Sequence, residues 1–295
     1  MKKRVLLTGG SGFIGRNLRE SVLREKYDVF TPAHDELDLT DTASVDAYFK
    51  GKTFDAVLHA AAKAGHRNAK DPSNLFRDNV RMFLNLERHK DRFGKFVNFG
   101  SGAIYGLSGD VSNASEDAVF KAMGADEHGF CKYAVAKYIE NLPHFVDLNI
   151  FGIFGKYEDF EIRFISNAIC KTLFNLPVTL RRNRRFSYLD VDDLPPVLEF
   201  FIENDVRHHS YNIVPDGCVE LADVASLVRD VSGADVEIQI AKDGYGFDYY
   251  GNNARLKAEM PAVRFTPLKT SIERLFAYYK SVKASLNRDL FLKDK

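Results

Sequence analysis

Arg4-Val-Leu-Leu-Thr8-Gly9-Gly10-Ser11-Gly12-Phe13-Ile14-Gly15 is the stretch whose reading decides the fold. Its apolar start reads as a buried strand, and a helix is predicted from about Phe13 to Leu23. A strand that runs through a glycine turn into a helix is the geometry that cradles a pyrophosphate. Gly9 permits the tight turn, Gly12 lets backbone approach the phosphates, and Gly15 lets helix and strand pack closely. At Phe13 and Ile14 the helix start offers free N–H groups and the positive end of its dipole to the anion.

Outward from this loop, the composition limits what the rest can be. The 295 residues allow one large or two interleaved domains with a real core. The 41 basic and 41 acidic residues cancel, which argues against a general nucleic-acid or membrane-surface binder. No apolar run approaches the ~20 residues of a membrane span. The basic start is followed by too short an apolar run for a signal peptide. Cys131, Cys170 and Cys218 are odd in number and lack CxxC spacing. They fit reduced thiols in a cytoplasm, with neither a disulfide frame nor a metal site.

Asp28–Thr31 reads as the second strand. An acid at its tip would favour NAD and a basic residue NADP. The tip reads Thr31-Pro-Ala-His34-Asp35. His34 and Arg16 are candidates for a 2′-phosphate, Asp35 or Glu36 for a free ribose, and the balance favours NADP over NAD. Asp38 and Leu39 follow as candidates beside the adenine, and Asp41 also suits the N-cap of a helix from about Ala43. Phe54–Ala62 is a third core strand whose small end, Ala60, Ala61 and Ala62, lets a cofactor lie close. Lys63, His66 and Arg67 then form a loop at a strand end, read either as ligand contacts or as a solvated basic loop.

A helix from about Ser73 to His89 leads to the strand Lys95–Phe99, which runs into Gly100-Ser101. A serine hydroxyl at a strand end can hydrogen-bond a substrate carbonyl. In the helical stretch His128–Glu140, Tyr133 and Lys137 are four apart and share one face. A fixed cation beside a phenol lowers its pKa, so such a Tyr can pass a proton to a carbonyl near neutral pH. Asp147–Phe151 is a further strand. The alternation predicts an α/β fold, a Rossmann-type doubly wound parallel sheet. Residues 1–157 with about 187–214 form this NAD(P)-binding domain; 158–186 and 215–295 form a smaller mixed α/β substrate lobe. That lobe includes a helix over Ile162–Leu176, a strand at Pro177–Leu180, the basic run Arg181, Arg182, Arg184 and Arg185, and a terminal helix from about Ser271 to Leu286.

Taken together, the motifs resemble the extended short-chain dehydrogenase/reductase family of NAD(P)-dependent nucleotide-sugar epimerases, dehydratases and reductases. They are Thr8-Gly-Gly-Ser-Gly-Phe-Ile-Gly15, Asp38-Leu39, Leu58-His-Ala-Ala-Ala62, Gly100-Ser-Gly-Ala-Ile-Tyr-Gly106, Tyr133-x-x-x-Lys137 and Tyr188-Leu-Asp-Val-Asp-Asp-Leu194. The resemblance implies that Ser101 holds the carbonyl oxygen, Tyr133 is the acid/base, and Lys137 lowers its pKa and binds the nicotinamide ribose. The family's dehydratases carry Thr-Asp-Glu where this chain has Ser101-Gly102-Ala103, which argues against elimination. The Lys63 loop looks most like GDP-fucose synthase-like 4-keto sugar reductases. Their two epimerising groups correspond to Ala103 and a position near Arg163. Simple reduction of a nucleotide-linked 4-keto-6-deoxy sugar, or a heptose, is the favoured expectation, in making activated sugars for surface polysaccharide. A 4-epimerase retaining NAD and a non-catalytic dinucleotide sensor are the alternatives. Arg185, with Asn253 and Arg255, is a candidate substrate contact, and the family implies a homodimer.

Overall fold

Alternate residues of the core strands are apolar on both sides, which suits a sheet covered by helices on two faces. The computed structural model describes residues 1–106, 108–124 and 126–292. Six strands form the main sheet: β1 Arg4–Thr8, β2 Asp28–Phe30, β3 Phe54–His59, β4 Phe93–Phe99, β5 Phe145–Ile150 and β6 Ser210–Ile213. Their order is β6-β5-β4-β3-β1-β2, and every pairing is parallel. The chain leaves β1 on one side to make β2 and returns on the other to make β3. That reversal opens a crevice at the carboxyl ends of β1 and β3, where ligands bind in such sheets.

Val5, Leu7, Ala56, Leu58, Val97 and Leu148 point to one face, against Leu194, Val197, Leu198 and Phe201. Leu6, Val57, Phe96 and Phe145 point to the other, against Phe49, Phe83, Leu86, Val135 and Ile139. The fold is thus the expected Rossmann-type α/β sheet. A separate apolar cluster gathers Phe154, Ile169, Val178, Leu180, Val228, Ile272 and Tyr279.

Several element bounds differ from the sequence reading. The first helix spans only Phe13–Arg19 and restarts at Leu23–Lys26. Glu20 N–H is shared between the carbonyls of Arg16 and Asn17, and the Ser21 hydroxyl accepts from Leu23 N, so the last turn tightens and breaks. The terminal helix spans Leu268–Ser281, starting after Pro267. Asp41 is an N-cap, accepting from Ala43 N at 3.1 Å. The short strands Val111–Ala114, Arg185–Phe186, Val219–Glu220 and Tyr249–Gly251 form a second sheet that the sequence reading lacks. No helix among the described residues is long and apolar enough to cross a membrane.

Candidate active site

The glycine loop closes on itself through Gly12 N to Gly9 O at 3.0 Å. Gly9 has φ +71°, and a Cβ there would lie 2.6 Å from the Ala61 backbone. A Cβ on Gly15 would lie 2.1 Å from Gly9 O. No side chain caps the helix Phe13–Arg19, so its first N–H groups are left for an anion. Phe13 and Ile14 rest against the sheet core. Ala60 and Ala61 are half-buried and Ala62 exposed, giving the crevice a low floor. Thr8 fixes that floor, accepting from Ala61 N at 3.3 Å and pairing with His59 Nδ1 at 2.9 Å. Burial, then Lys132, pushes the His59 imidazole down to about 3, so it is neutral. This cradle fits a dinucleotide pyrophosphate.

At the tip of β2, His34 is exposed and 3.8 Å from Asp38. Burial would raise the Asp38 carboxyl, but bonds from Thr40 N and Oγ1 outweigh it and hold it low. Leu39 is buried in the core and its carbonyl accepts from Asn85. Arg16 lies 3.7 Å over the Tyr157 ring. Arg19 also reaches this tip: its guanidinium donates to Gly10 O at 3.3 Å and its stem lies, like Thr31, against Gly10. Its place one turn after Arg16 on the same helix was the available signal.

Ser101 ends the run from β4, half-buried, its Oγ accepting from Ala103 N at 3.1 Å. Tyr133 and Lys137 lie on the helix Glu127–Ile139, which Asp126 caps by accepting from Gly129 N. The Phe120 ring meets Tyr133 edge-on at 5.2 Å and lies 4.3 Å from the Lys137 ammonium, which is paired with Glu140 at 2.6 Å. Glu140 and the Tyr133 charge both favour the protonated lysine. The helix is fastened to the serine strand by its neighbour Lys132, whose Nζ donates to Phe99 O at 2.7 Å. Beneath lies Asp147, 1% exposed, accepting from Asn98 at 2.5 Å.

The candidate substrate contacts separate into two groups. Arg163 is exposed at the start of the helix Phe164–Leu173, and its charge acts on His66, His128, Tyr188 and Tyr249. Burial, then Lys132, brings His128 down to about 4. A Cβ built on Gly102 would lie 2.7 Å from the Tyr249 hydroxyl, so this phenol, on which the Arg163 charge acts, stands beside the residue that follows Ser101. His66 is 4.0 Å from Asp159. Ala103 is buried against this wall. The other candidates are engaged elsewhere. Lys63 is held by Asp71 and Asp78, both at 2.9 Å. Arg185 pairs with Asp248 at 2.5 Å, whereas the charge of its neighbour Arg184 reaches Tyr188 and Tyr249. Asn253 donates to Val214 O and Asp216, and Arg255 to Ser210 O and Asp117. Tyr249 and Lys132 are additions to the sequence reading, and Arg184 comes from its basic run. Among the described residues no cluster of His, Cys, Asp and Glu could hold a metal.

Comparison with known proteins gives the family and the fold. The chain is 28% identical over 173 residues to a GDP-L-fucose synthase of Azorhizobium caulinodans. It is 26% identical over 184 residues to a GDP-L-colitose synthase of Yersinia pseudotuberculosis. These matches take in 53% and 57% of this chain, and it spans 54% and 59% of those relatives. A UDP-glucose 4-epimerase of Thermotoga maritima has the same fold, with TM-score 0.81 at 18% identity over 95% of this chain and 99% of that one. A GDP-mannoheptose C4 reductase of Campylobacter jejuni, crystallised with NADP, gives 0.77 at 18% over 95% and 98%. Residues 5–214 match the model of the NAD dependent epimerase/dehydratase family, and the chain belongs to that family.

Proposed function

We propose that this protein reduces the 4-keto group of a nucleotide-linked 6-deoxy sugar or heptose, with NADPH preferred over NADH. The bound coenzyme supplies the hydride. Ser101 hydrogen-bonds the ketone oxygen, Tyr133 gives it a proton, and Lys137 stabilises the phenolate left behind. Alignment and a donor aimed at the developing oxyanion supply most of the catalysis.

The wall around Ser101 carries this reading. Gly102 has no side chain, Ala103 offers a buried methyl, and Arg163 brings a fixed cation. None of the three takes a proton from carbon, as elimination or inversion beside the ketone requires. His66 and His128, both made less basic by burial and neighbouring cations, are weaker acceptors than a free imidazole. Arg19 at the tip of β2 supports NADP. The names of the relatives support a sugar nucleotide as substrate, and the product would serve surface polysaccharide.

The test is an assay of 4-keto sugars on different nucleotides with both coenzymes. Coenzyme should be consumed one for one with the ketone. Tightly retained NAD, with interconversion and no net consumption, would sink this reading in favour of a 4-epimerase. Tyr133→Phe should abolish turnover and leave coenzyme binding intact.

A further inference from the structure

Contacts that join the helix Glu127–Ile139 to the turn carrying Ser101 lie on either side of the serine. Gly129 and Lys132 are three apart, so they share one face of that helix. A Cβ built on Gly129 would stand 3.2 Å from Ala103 O. Lys132 Nζ donates to Phe99 O at 2.7 Å. These two carbonyls belong to the residues two before and two after Ser101. Tyr133 follows Lys132 directly, so the proton donor sits one peptide from the second contact.

The same turn is closed from the sheet side. A Cβ built on Gly100 would lie 2.6 Å from both carboxylate oxygens of Asp147, so only a glycine lets that carboxyl rise so near the serine. Asp147 is 1% exposed, pairs in register with Asn98 and accepts from its amide at 2.5 Å. The Lys132 and Asp147 charges act on each other, and each opposes the effect of burial on its partner. Burying an ammonium is costly, and an apolar side chain would fill the space without that cost. What the ammonium adds is a directed bond to one carbonyl.

We propose that Lys132 is a positioning residue: its bond to Phe99 O, with the Gly129–Ala103 contact beside it, sets the spacing between the Tyr133 and Ser101 hydroxyls. Both hydroxyls must meet one ketone oxygen, so their spacing governs the chemical step and not the affinity for coenzyme. The inference deepens the reductase reading and rests on it for the identity of that oxygen.

Lys132→Met alone leaves Asp147 an unpaired charge, so the test combines it with Asp147→Asn, which fills the same space and carries no charge. The double variant is assayed below its melting temperature with a 4-keto-6-deoxy sugar nucleotide and NADPH. Its kcat should fall about a hundredfold, the scale of a misplacement of about 1 Å. Its KM for NADPH should stay within about twofold, because only an interaction of the transition state is lost. The isotope effect from deuterated NADPH should rise. A lysine that serves stability alone predicts that kcat returns together with the melting temperature. That return, or a loss shared with the coenzyme KM, overturns the proposal. Amide hydrogen exchange needs no substrate. In the double variant the amides of Glu127–Ile139 should exchange about tenfold faster, while those of the helix Leu194–Glu203, across the sheet, keep the wild-type rate. Unchanged exchange in Glu127–Ile139, or an equal rise in both helices, overturns the tie. Absence of wild-type turnover sinks the reductase reading alone, and the exchange then decides for Lys132.

Discussion

Lys132 Nζ donates to the carbonyl of Phe99 at 2.7 Å, so the residue before Tyr133 is bonded to the residue two before Ser101. One ammonium thus sets the distance between the helix that carries the proton donor and the strand that carries the serine. It also balances Asp147, whose Oδ2 has no partner among the described residues.

Lys132→Met should therefore cost about 3 kcal/mol at pH 8, because it leaves a buried charge unpaired. Burial, opposed by Asn98 and Lys132, raises the Asp147 carboxyl to about 6. Between the unfolded value of ~3.9 and the folded one, the native state holds a proton the unfolded state has lost, so stability falls as pH rises through that window. Without Lys132 the folded value climbs further, and at pH 5 the carboxyl stays neutral. Urea unfolding should show most of the loss recovered at pH 5, or at pH 8 by adding Asp147→Asn. An equal loss at both pH values would disprove the pairing.

Glu158 offers a second window. It is 5% exposed and accepts from Ser166, and burial pushes its carboxyl up to about 8. It is an acid in the native state at pH 7 and a carboxylate in the unfolded chain, so stability drains as pH rises from about 4.3 to 8. Glu158→Gln removes the titration. Its advantage over wild type should grow by roughly 1 kcal/mol per pH unit across that range and level off above it. Midpoints measured at pH 5, 7 and 9 check this, and a constant difference counts against it.

Gly15→Ala puts a methyl 2.1 Å from Gly9 O, a backbone atom that cannot turn aside. Overpacking of this kind costs about 1–3 kcal/mol. Coenzyme binding, followed by NADPH fluorescence, should fall together with the melting temperature.

Arg19→Ala should weaken NADPH binding by about tenfold, the loss of a charge-assisted contact, and leave NADH binding unchanged. Parallel titrations with the two coenzymes decide it, and an equal loss for both would remove Arg19 from the 2′-phosphate.

What the sequence made legible follows from how each part is held. The strands β1, β3, β4 and β5 are buried on both faces, so they stand out as apolar runs, and the glycine motif can be read within its own dozen residues. The break after Arg19 depends on the shared bond at Glu20 and the Ser21 hydroxyl, which no helical pattern announces. Strands of two to four residues, such as Arg185–Phe186 and Val111–Ala114, have no period to read, and Tyr249–Gly251 joins them only through pairing with distant segments. By helical spacing Lys132 is one more polar position beside the Tyr133–Lys137 pair. Its partners, Phe99 and Asp147, lie on two strands that the helix spacing could not bring to it. Tyr249 was hidden for the same reason.

The contact between Gly9 and Ala61 also bears on the order of events during synthesis. The glycine loop leaves the ribosome among the first fifteen residues, but the surface it rests on, so close that a Cβ on Gly9 would lie 2.6 Å from the Ala61 backbone, belongs to a segment made some fifty residues later. A nascent chain ending near residue 50 would carry the whole glycine motif and nothing for it to lean on. Coenzyme capture during translation would then begin only after β3 has emerged and paired with β1, making the dinucleotide a reporter of that pairing rather than of the motif.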